Sequence, residues 1–385
     1  MKGLSVYFHI PFCKTRCRYC NFNSYSDLEF LFDDYASALR QDFYSFQHRS
    51  QEFLVQTVYL GGGTPSLLSL HLLEEITKSL KGVFHLSPGC EVSIEVNPET
   101  IYPNYAHGLQ GLGINRISLG VQSFDPQVLR RLGRGHDVEQ SIRSFQFLRR
   151  AGFDNINIDL IFGVPGQSLP GWQRTLESAL ALEPEHLSLY CLTIEKDLKF
   201  KTEQSYAGEL DQVLGERYLV DEKTQMEMMQ LSQALLEREG FQHYEISNFC
   251  LPGFQCQHNL TYWRRGEYLG FGAGAHSFLE GKRFSRIEDP KRFIAAVKAG
   301  QLPLSFQEEL SPEQELLEEI YLRLRTNSGF EGLDWLKYQG ILERKQFLEK
   351  MERLREEGFV EGEGEKVCLT NKGRFLVDSL ILELV

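Results

Sequence analysis

The sequence predicts an α/β fold: a parallel β-sheet covered by helices, followed by a small helical module. Three observations carry this. Short apolar runs rich in Val, Ile, Leu, Tyr and Phe recur six times in the first half of the chain. Stretches with the spacing of amphipathic helices separate them. From about residue 308 the texture changes to closely spaced helical patterns and one hairpin-like run.

The first predicted strand is 4–10 (LSVYFHI), which leads straight into three cysteines. Further strands follow at 57–60 (TVYL), 92–96 (VSIEV), 116–121 (RISLGV), 156–162 (INIDLIF) and 187–192 (LSLYCL). Helical spacing covers 67–82, 138–151 and 170–182. Strand–helix alternation implies parallel strands joined by crossovers, and strands this uniformly apolar need cover on both faces. Six units fall short of the eight of a closed barrel, and an open doubly wound sheet fits the pattern equally well. Residues 1–205 form this unit. Residues 206–305 are less regular: a helical pattern over 209–239 ends at Gly240. The extended run FQHYEISNF, a Gly-rich patch at 270–278 (GFGAGAHSF) and a helix over 290–299 follow. In 306–385, helical patterns at 312–326, 330–338 and 343–357 precede FVEGEGEKVCLT, which reads as a hairpin. Three helices and a hairpin suggest a winged-helix-like domain.

Charge narrows the function. With 41 Lys+Arg against 53 Asp+Glu, the formal net charge is −12. That argues against nucleic acid as a partner, since such binders carry basic surfaces. The winged-helix-like segment itself, residues 308–385, has 18 acidic and 11 basic residues, so protein packing is its expected role. A chain of 385 residues can bury a large core without staples. No run approaches the ~18 apolar residues of a membrane span. The N-terminus lacks the pattern of a secretory signal, so a cytoplasmic location is expected. Disulfides among the eight cysteines are therefore not expected. Cys90, Cys191, Cys250, Cys256 and Cys368 are scattered and read mostly as small buried hydrophobes.

Cys13, Cys17 and Cys20 are different: they form C-x3-C-x2-C directly after the first strand. Three thiolates so close suit a soft metal or an iron–sulfur cluster. A structural zinc site wants four ligands, and the position two after Cys20 is Phe22. Three ligands on a [4Fe–4S] cube leave one iron open to a small molecule. Arg16 and Arg18 would offset the cluster's negative charge.

The segment Tyr7-Phe-His9-Ile-Pro11-Phe-Cys13-x3-Cys17-x-Tyr19-Cys20 closely resembles the cluster loop of radical S-adenosylmethionine (SAM) enzymes. More narrowly it is similar to the branch holding oxygen-independent coproporphyrinogen III oxidases and HemW-type haem chaperones. The resemblance runs over nearly the whole chain. It implies a partial (β/α)6 barrel with the cluster at the C-terminal edge of the strands, and a small C-terminal helical, winged-helix-like domain. It also implies SAM chelated to the open iron, an electron donor for the cluster, and a 5′-deoxyadenosyl radical formed when SAM is cleaved.

Gly61-Gly62-Gly63-Thr64-Pro65 follows the strand TVYL. Such a turn reads either as a tight βα connection or as backbone brought close to a ligand. The resemblance implies contact of Gly62, Gly63 and Thr64 with the methionyl amino group of SAM. Glu95 (SIEVNP), Gln122 (LGVQSF) and Asp159 (NIDLIFG) sit at strand ends, with Arg134 in LGRGH. The acids read equally as structural ion pairs, because a buried carboxylate needs a partner. The resemblance implies that Glu95, Gln122, Arg134 and Asp159 hold SAM, with Tyr7 packed against the site and Arg134 paired with the SAM carboxylate or a neighbouring acid.

The last motif is Cys256-Gln257-His258-Asn259-Leu260-Thr261-Tyr262-Trp263. A histidine among aromatics is usually a packed core residue. His-Asn-x-x-Tyr-Trp, however, resembles the HNxxYW signature of HemW-type proteins. That resemblance implies haem binding with His258 as axial ligand, Cys256 as a rival thiolate ligand, and Tyr262 and Trp263 packed on the macrocycle. Phe22 stands where the oxidases usually carry another cysteine, and the long N-terminal extension of the oxidases has no counterpart before Cys13. The implied function is a haem chaperone rather than a coproporphyrinogen oxidase. Such a protein binds haem, a [4Fe–4S] cluster and SAM and delivers haem to an acceptor haemoprotein, such as a membrane cytochrome, which would supply any transient membrane contact. The alternative is oxidative decarboxylation of coproporphyrinogen III.

Overall fold

A computed structural model describes residues 1–17, 19–193, 220–332, 337–338, 340–341, 343–363, 366–374 and 376–384. Six parallel strands form its centre: β1 (Lys2–Ile10), β2 (Phe53–Gly62), β3 (His85–Val96), β4 (Arg116–Gln122), β5 (Ile156–Phe162) and β6 (His186–Cys191). They are hydrogen-bonded in sequence order, β1 to β6, with no reversal. A doubly wound sheet reverses its order at a switch point, so the alternative left open by the pattern is excluded. β1 and β6 do not pair with each other. β1 takes β9 (Tyr268–Phe271) in parallel, and β6 takes β8 (Asn248–Cys250) antiparallel. The wall is therefore a partial barrel.

The connecting helices end where local chemistry says they should. The helix Leu70–Val83 starts at Ser69, whose hydroxyl accepts from the Leu72 N–H. The helix Val138–Arg150 opens on a capping box of Asp137 and Gln140. The helix Leu169–Leu180 is capped by Ser168. Their apolar faces, with Leu73, Ile76, Phe145, Leu148, Trp172 and Leu176, close over strand residues such as Val58, Ile94, Leu119 and Ile158 to make one core.

The irregular middle of the chain extends the sheet to twelve strands, through β9, β10 (His276–Leu279), β11 (Lys282–Arg286) and β12 (Leu304–Glu309) on one side and β8 with β7 (Gln242–His243) on the other. The Gly-rich patch is thus strand and tight turn. At Gly272 the φ is +96°, and a Cβ would lie 2.6 Å from the His9 carbonyl oxygen and the Tyr35 hydroxyl. The extension is pinned by a buried pair: Arg286 Nε donates to Asp42 at 3.0 Å, and the Gly272 N–H reaches the same carboxylate. The predicted helix over 209–239 is described from Glu222 to Arg238, and 209–219 lies outside the described residues.

The C-terminal segment has its own core, formed by Leu316, Ile320, Phe347, Met351, Leu354 and Leu380. It contains helices Pro312–Arg323, Arg344–Glu356 and Val377–Leu384 and a three-stranded sheet. The helix predicted over 330–338 is not found at its start: Phe330–Glu331 is a strand paired with Val367 and Lys366. Gly329 brings it so close that a Cβ there would overlap the Val367 carbonyl, and the pairing overrides local helical spacing.

Candidate functional site

At the C-terminal ends of β1–β6 lies a cavity of about 350 Å³. Cys13, Cys17 and Cys20 line it together with Gly62, Gly63, Thr64, Glu95, Gln122, Arg134 and Asp159. Parallel strands place all these groups on one rim, because each loop leaves its strand at the same end.

The cysteine loop is held by backbone. The Cys13 N–H donates to the Tyr25 carbonyl (2.9 Å), and the Tyr25 N–H returns to Pro11 (2.7 Å). The Gly-rich turn braces it from the next strand: the Gly63 N–H donates to Ile10 and the Thr64 N–H to Phe12. A Cβ on Gly63 would sit 2.5 Å from the Phe12 carbonyl oxygen. At Gly62 φ is +116°, and a Cβ would strike the His9 ring at 2.6 Å. The glycines thus serve both readings of the motif, allowing the close βα packing and exposing Gly62 and Gly63 to the cavity.

Arg134 links two of the thiols. Its Nη1 donates to Cys17 Sγ at 3.1 Å, and its Nη2 donates to Asn97 Oδ1 at 2.7 Å and to the Gly120 carbonyl at 2.9 Å. Asn97 Nδ2 donates to Thr64 Oγ1, whose hydroxyl reaches Cys13 Sγ at 3.7 Å. The expected pairing of Arg134 with a neighbouring acid is not what the side chain does here; it turns to sulfur and amide oxygen instead. Its Nε is buried with no hydrogen-bond partner. Arg16 is exposed, and Arg18 lies outside the described residues.

Across the cavity, Glu95 accepts from the Gly62 N–H (3.0 Å) and the Tyr59 hydroxyl (3.0 Å). Burial, with repulsion from Asp159, pushes its carboxyl up to about 7. Asp159 accepts from Ser118 Oγ (3.0 Å) and Asn157 Nδ2 (2.8 Å), and burial raises it too. Among the described residues neither acid has an Arg or Lys partner within salt-bridge distance, though the buried Arg116 guanidinium acts on Asp159 from further off. Two carboxyl groups that line a cavity and make no direct salt bridge among the described residues suit a cationic ligand. Gln122, at φ +68°, is a non-glycine residue in left-handed conformation at the end of β4, and it lines the cavity.

Tyr7 does not line the cavity. Its hydroxyl bonds His9 Nδ1 at 2.9 Å and its ring stacks on Tyr59, which takes the lining position instead. Tyr59, Asn97, Ser118, Tyr190 and Cys191 also line the site and were not singled out from sequence. Alternation along β2 and β4 would have found Tyr59 and Ser118 as inward neighbours in register with Ser93 and Asn157.

The donor set fits the implied cofactors. Among the described residues no three His, Cys, Asp or Glu side chains converge on a point as ligands to a single ion do. A four-iron cube binds each thiolate to a different iron and asks for no such convergence. Burial pushes the Cys13 thiol up to about 11 and raises Cys20, the resting state of thiols that metal binding deprotonates.

The HNxxYW segment is the helix Gln257–Trp263. His258 is 1% exposed. Its Nδ1 meets Thr57 Oγ1 at 2.7 Å, its Nε2 meets the Tyr262 hydroxyl at 2.9 Å, and its ring stacks on Tyr59 at 5.1 Å. Burial, then Arg116, push it down to about 3. With both nitrogens bonded inside the protein, His258 presents no free donor to haem iron in this conformation. Cys256 is fully buried, its thiol pushed up to about 12 by burial, and is no thiolate ligand here either. No helix among the described residues is long and apolar enough to cross a membrane.

A partial barrel carrying three cysteines, a Gly-rich turn and strand-end acids around one cavity defines the class, and the sequence profile described as "Radical SAM superfamily" matches residues 7–179. The chain superposes on the Escherichia coli coproporphyrinogen III oxidase HemN with a TM-score of 0.82, over 100% of this chain and 90% of that one, at 24% identity, which shows a shared fold. Curated relatives are closer. "Heme chaperone HemW" of Bacillus subtilis is 32% identical over 97% of this chain and 96% of its own length. The Mycobacterium tuberculosis protein of the same name is 33% identical over 99% and 94%, and that of Escherichia coli 34% identical over 88% and 87%. The chain belongs to the HemW family of the radical SAM superfamily.

Proposed function

We propose that this protein is a haem chaperone that carries a [4Fe–4S] cluster on Cys13, Cys17 and Cys20, binds SAM beside it, and passes haem to an acceptor haemoprotein. The observation that carries the reading is the single cavity in which the three thiols face Glu95 and Asp159, in a chain similar over almost its full length to HemW relatives. When bound, the cluster would supply one electron to SAM, through an external donor. The protein's own part is placement. The Cys13–Cys20 loop would hold three irons, and Arg134 would spread positive charge over Cys17 sulfur and the cluster. Gly62, Gly63 and Thr64 would bring backbone to the methionyl end, and Glu95, Gln122 and Asp159 would face the cationic ligand. The reading divides the chain at 1–205, 206–305 and 306–385, with the separate C-terminal core as support for the last unit.

Haem is treated as cargo. The cavity rim carries Phe22, 66% exposed, and Tyr190, 43% exposed, an apolar edge against which a flat macrocycle can pack. His258 as placed is not assigned as its ligand. Phe22 also stands where an oxidase would carry cysteine, which favours cargo over decarboxylation. The test is haem titration of anaerobically purified protein beside an anaerobic assay with coproporphyrinogen III, SAM and reductant. About one haem per chain and no decarboxylation is expected; conversion without haem uptake would replace this reading with the oxidase.

A further inference from the structure

The barrel interior beneath the cavity is polar, and one file of hydrogen bonds runs through it. The backbone N–H of Cys256, which caps the helix Gln257–Trp263, donates to the Tyr244 hydroxyl at 3.2 Å. Tyr244 Oη meets His186 Nε2 at 2.8 Å. His186 Nδ1 meets Asn157 Oδ1 at 2.6 Å. Asn157 Nδ2 then donates to Asp159 Oδ1 at 2.8 Å and to Ser118 Oγ at 2.8 Å, and Ser118 donates to the other Asp159 oxygen. His186, Asn157 and Cys256 are each at most 1% exposed, and Tyr244 is buried.

The chemistry of each partner orients every link. A carboxylate accepts, so the Asn157 amide presents its NH₂ to Asp159 and its oxygen to His186. An amide oxygen only accepts, so His186 carries its proton on Nδ1. Burial, then Arg116, hold this imidazole well below its usual range, so it is neutral and its Nε2 accepts. The Tyr244 hydroxyl therefore donates to Nε2 and takes the Cys256 N–H on its oxygen. No link can reverse without leaving a buried group unsatisfied, which costs about 1–3 kcal/mol each. Apolar side chains could fill this space at no such risk. With Ser188 Oγ, which also donates to Asn157 Oδ1 at 3.1 Å, the file delivers a fixed Asn157 amide, and with it a fixed Asp159 carboxylate at the cavity wall.

We propose that His186 and Tyr244 are positioning residues for SAM: through Asn157 they orient Asp159, and they tie that carboxylate to the capping residue of the HNxxYW helix. This rests on the reading of the cavity as a SAM site. The test uses the full chain with its cluster reconstituted anaerobically, reading iron content, SAM affinity by equilibrium binding, and the SAM-induced change in the electron paramagnetic resonance of the reduced cluster. His186→Leu and Tyr244→Phe are expected to keep their iron but weaken SAM about tenfold, the worth of one well-placed hydrogen bond, with an altered SAM-induced spectrum. His186→Asn keeps an N–H where Nδ1 stood and is expected to bind SAM within about threefold of wild type. A merely space-filling residue would rank these the other way, since Leu suits an apolar interior better than Asn. Equal SAM binding by the Leu and Asn variants, or wild-type binding and spectrum in Tyr244→Phe, overturns the proposal. Where His186→Leu does not fold, Tyr244→Phe, which loses a single oxygen, decides alone. A wild-type protein that binds no SAM overturns the site reading itself, and the relay with it; normal wild-type binding with unaffected variants overturns only the relay.

Discussion

The cysteine loop and the HNxxYW helix both carry side chains that ligate metals, yet the structure treats them oppositely. Around Cys13, Cys17 and Cys20 the groups are left short of partners: Arg134 Nε has none, Glu95 and Asp159 make no direct salt bridge among the described residues, and both line a cavity. His258 itself, by contrast, is fully bonded, although Trp263 Nε1 on the same helix is buried without a partner. Nδ1 is taken by Thr57, Nε2 by Tyr262, and the backbone N–H by Glu91. A ligand site is marked by what protein groups leave unmade, and a structural histidine by what they complete. The two are adjacent, since the His258 ring stacks on Tyr59, whose hydroxyl holds Glu95.

The sharpest break in this comparison comes from the cysteines. Replacing Cys13, Cys17 or Cys20 by Ala should abolish cluster binding, from about four irons per reconstituted chain to near none. Replacing Cys90, Cys250 or Cys368 should leave it intact. Cys191 is the discriminating control, because it lines the same cavity. If Cys191→Ala loses its iron, the cluster has a fourth protein ligand and no iron is left open for SAM.

Next in size are the acids. Glu95→Ala and Asp159→Ala should each weaken SAM about 10- to 100-fold at normal iron content, as expected for a charged partner worth about 1.5–3 kcal/mol. Equilibrium binding measures this, and unchanged affinity in both would return the acids to structural roles.

For the closed region the expectation differs in kind. His258→Ala should cost stability, about 2–4 kcal/mol in denaturant unfolding, by orphaning Thr57 and Tyr262 and emptying the space between Tyr59 and Tyr262. Haem per chain should be unchanged. Loss of the haem band at unchanged stability would return His258 to the role of ligand.

The smallest effect is in pH. Glu95 stands at about 7 in the free protein. A cationic ligand favours its charged form, so SAM affinity should rise as pH climbs toward 7 and level off above it, with proton release on binding below that point. Calorimetry in buffers of different ionisation heat reads the proton; a flat profile between pH 5.5 and 7.5 would show that Glu95 does not meet the ligand's charge.

Much of this was legible in the chain. The strand–helix alternation and the spacing of the cysteines are local features, and local chemistry such as the Ser69 and Asp137 caps enforces them. What escaped were features made by pairing between distant segments. Nothing near residue 270 announces that Gly272 must clear the His9 carbonyl, and nothing near residue 330 announces a strand. Likewise Tyr7, in the motif that carried the resemblance, sits one layer behind Tyr59, which takes the cavity position. His258 was the instructive case: its motif pointed to a ligand, while its bonds lie 201 residues away in Thr57 and four residues on in Tyr262.

The most direct test of the proposed function is haem transfer. Haem-loaded protein, with its cluster reconstituted, is mixed anaerobically with an apo-cytochrome, with and without SAM and reductant, and the holo-cytochrome spectrum is followed. The account predicts that the donor's haem band falls as the acceptor's appears, faster than from free haem, and that the same preparation leaves coproporphyrinogen III unchanged. A protein that takes up no haem, or that yields decarboxylated porphyrinogen with SAM and reductant, would contradict it.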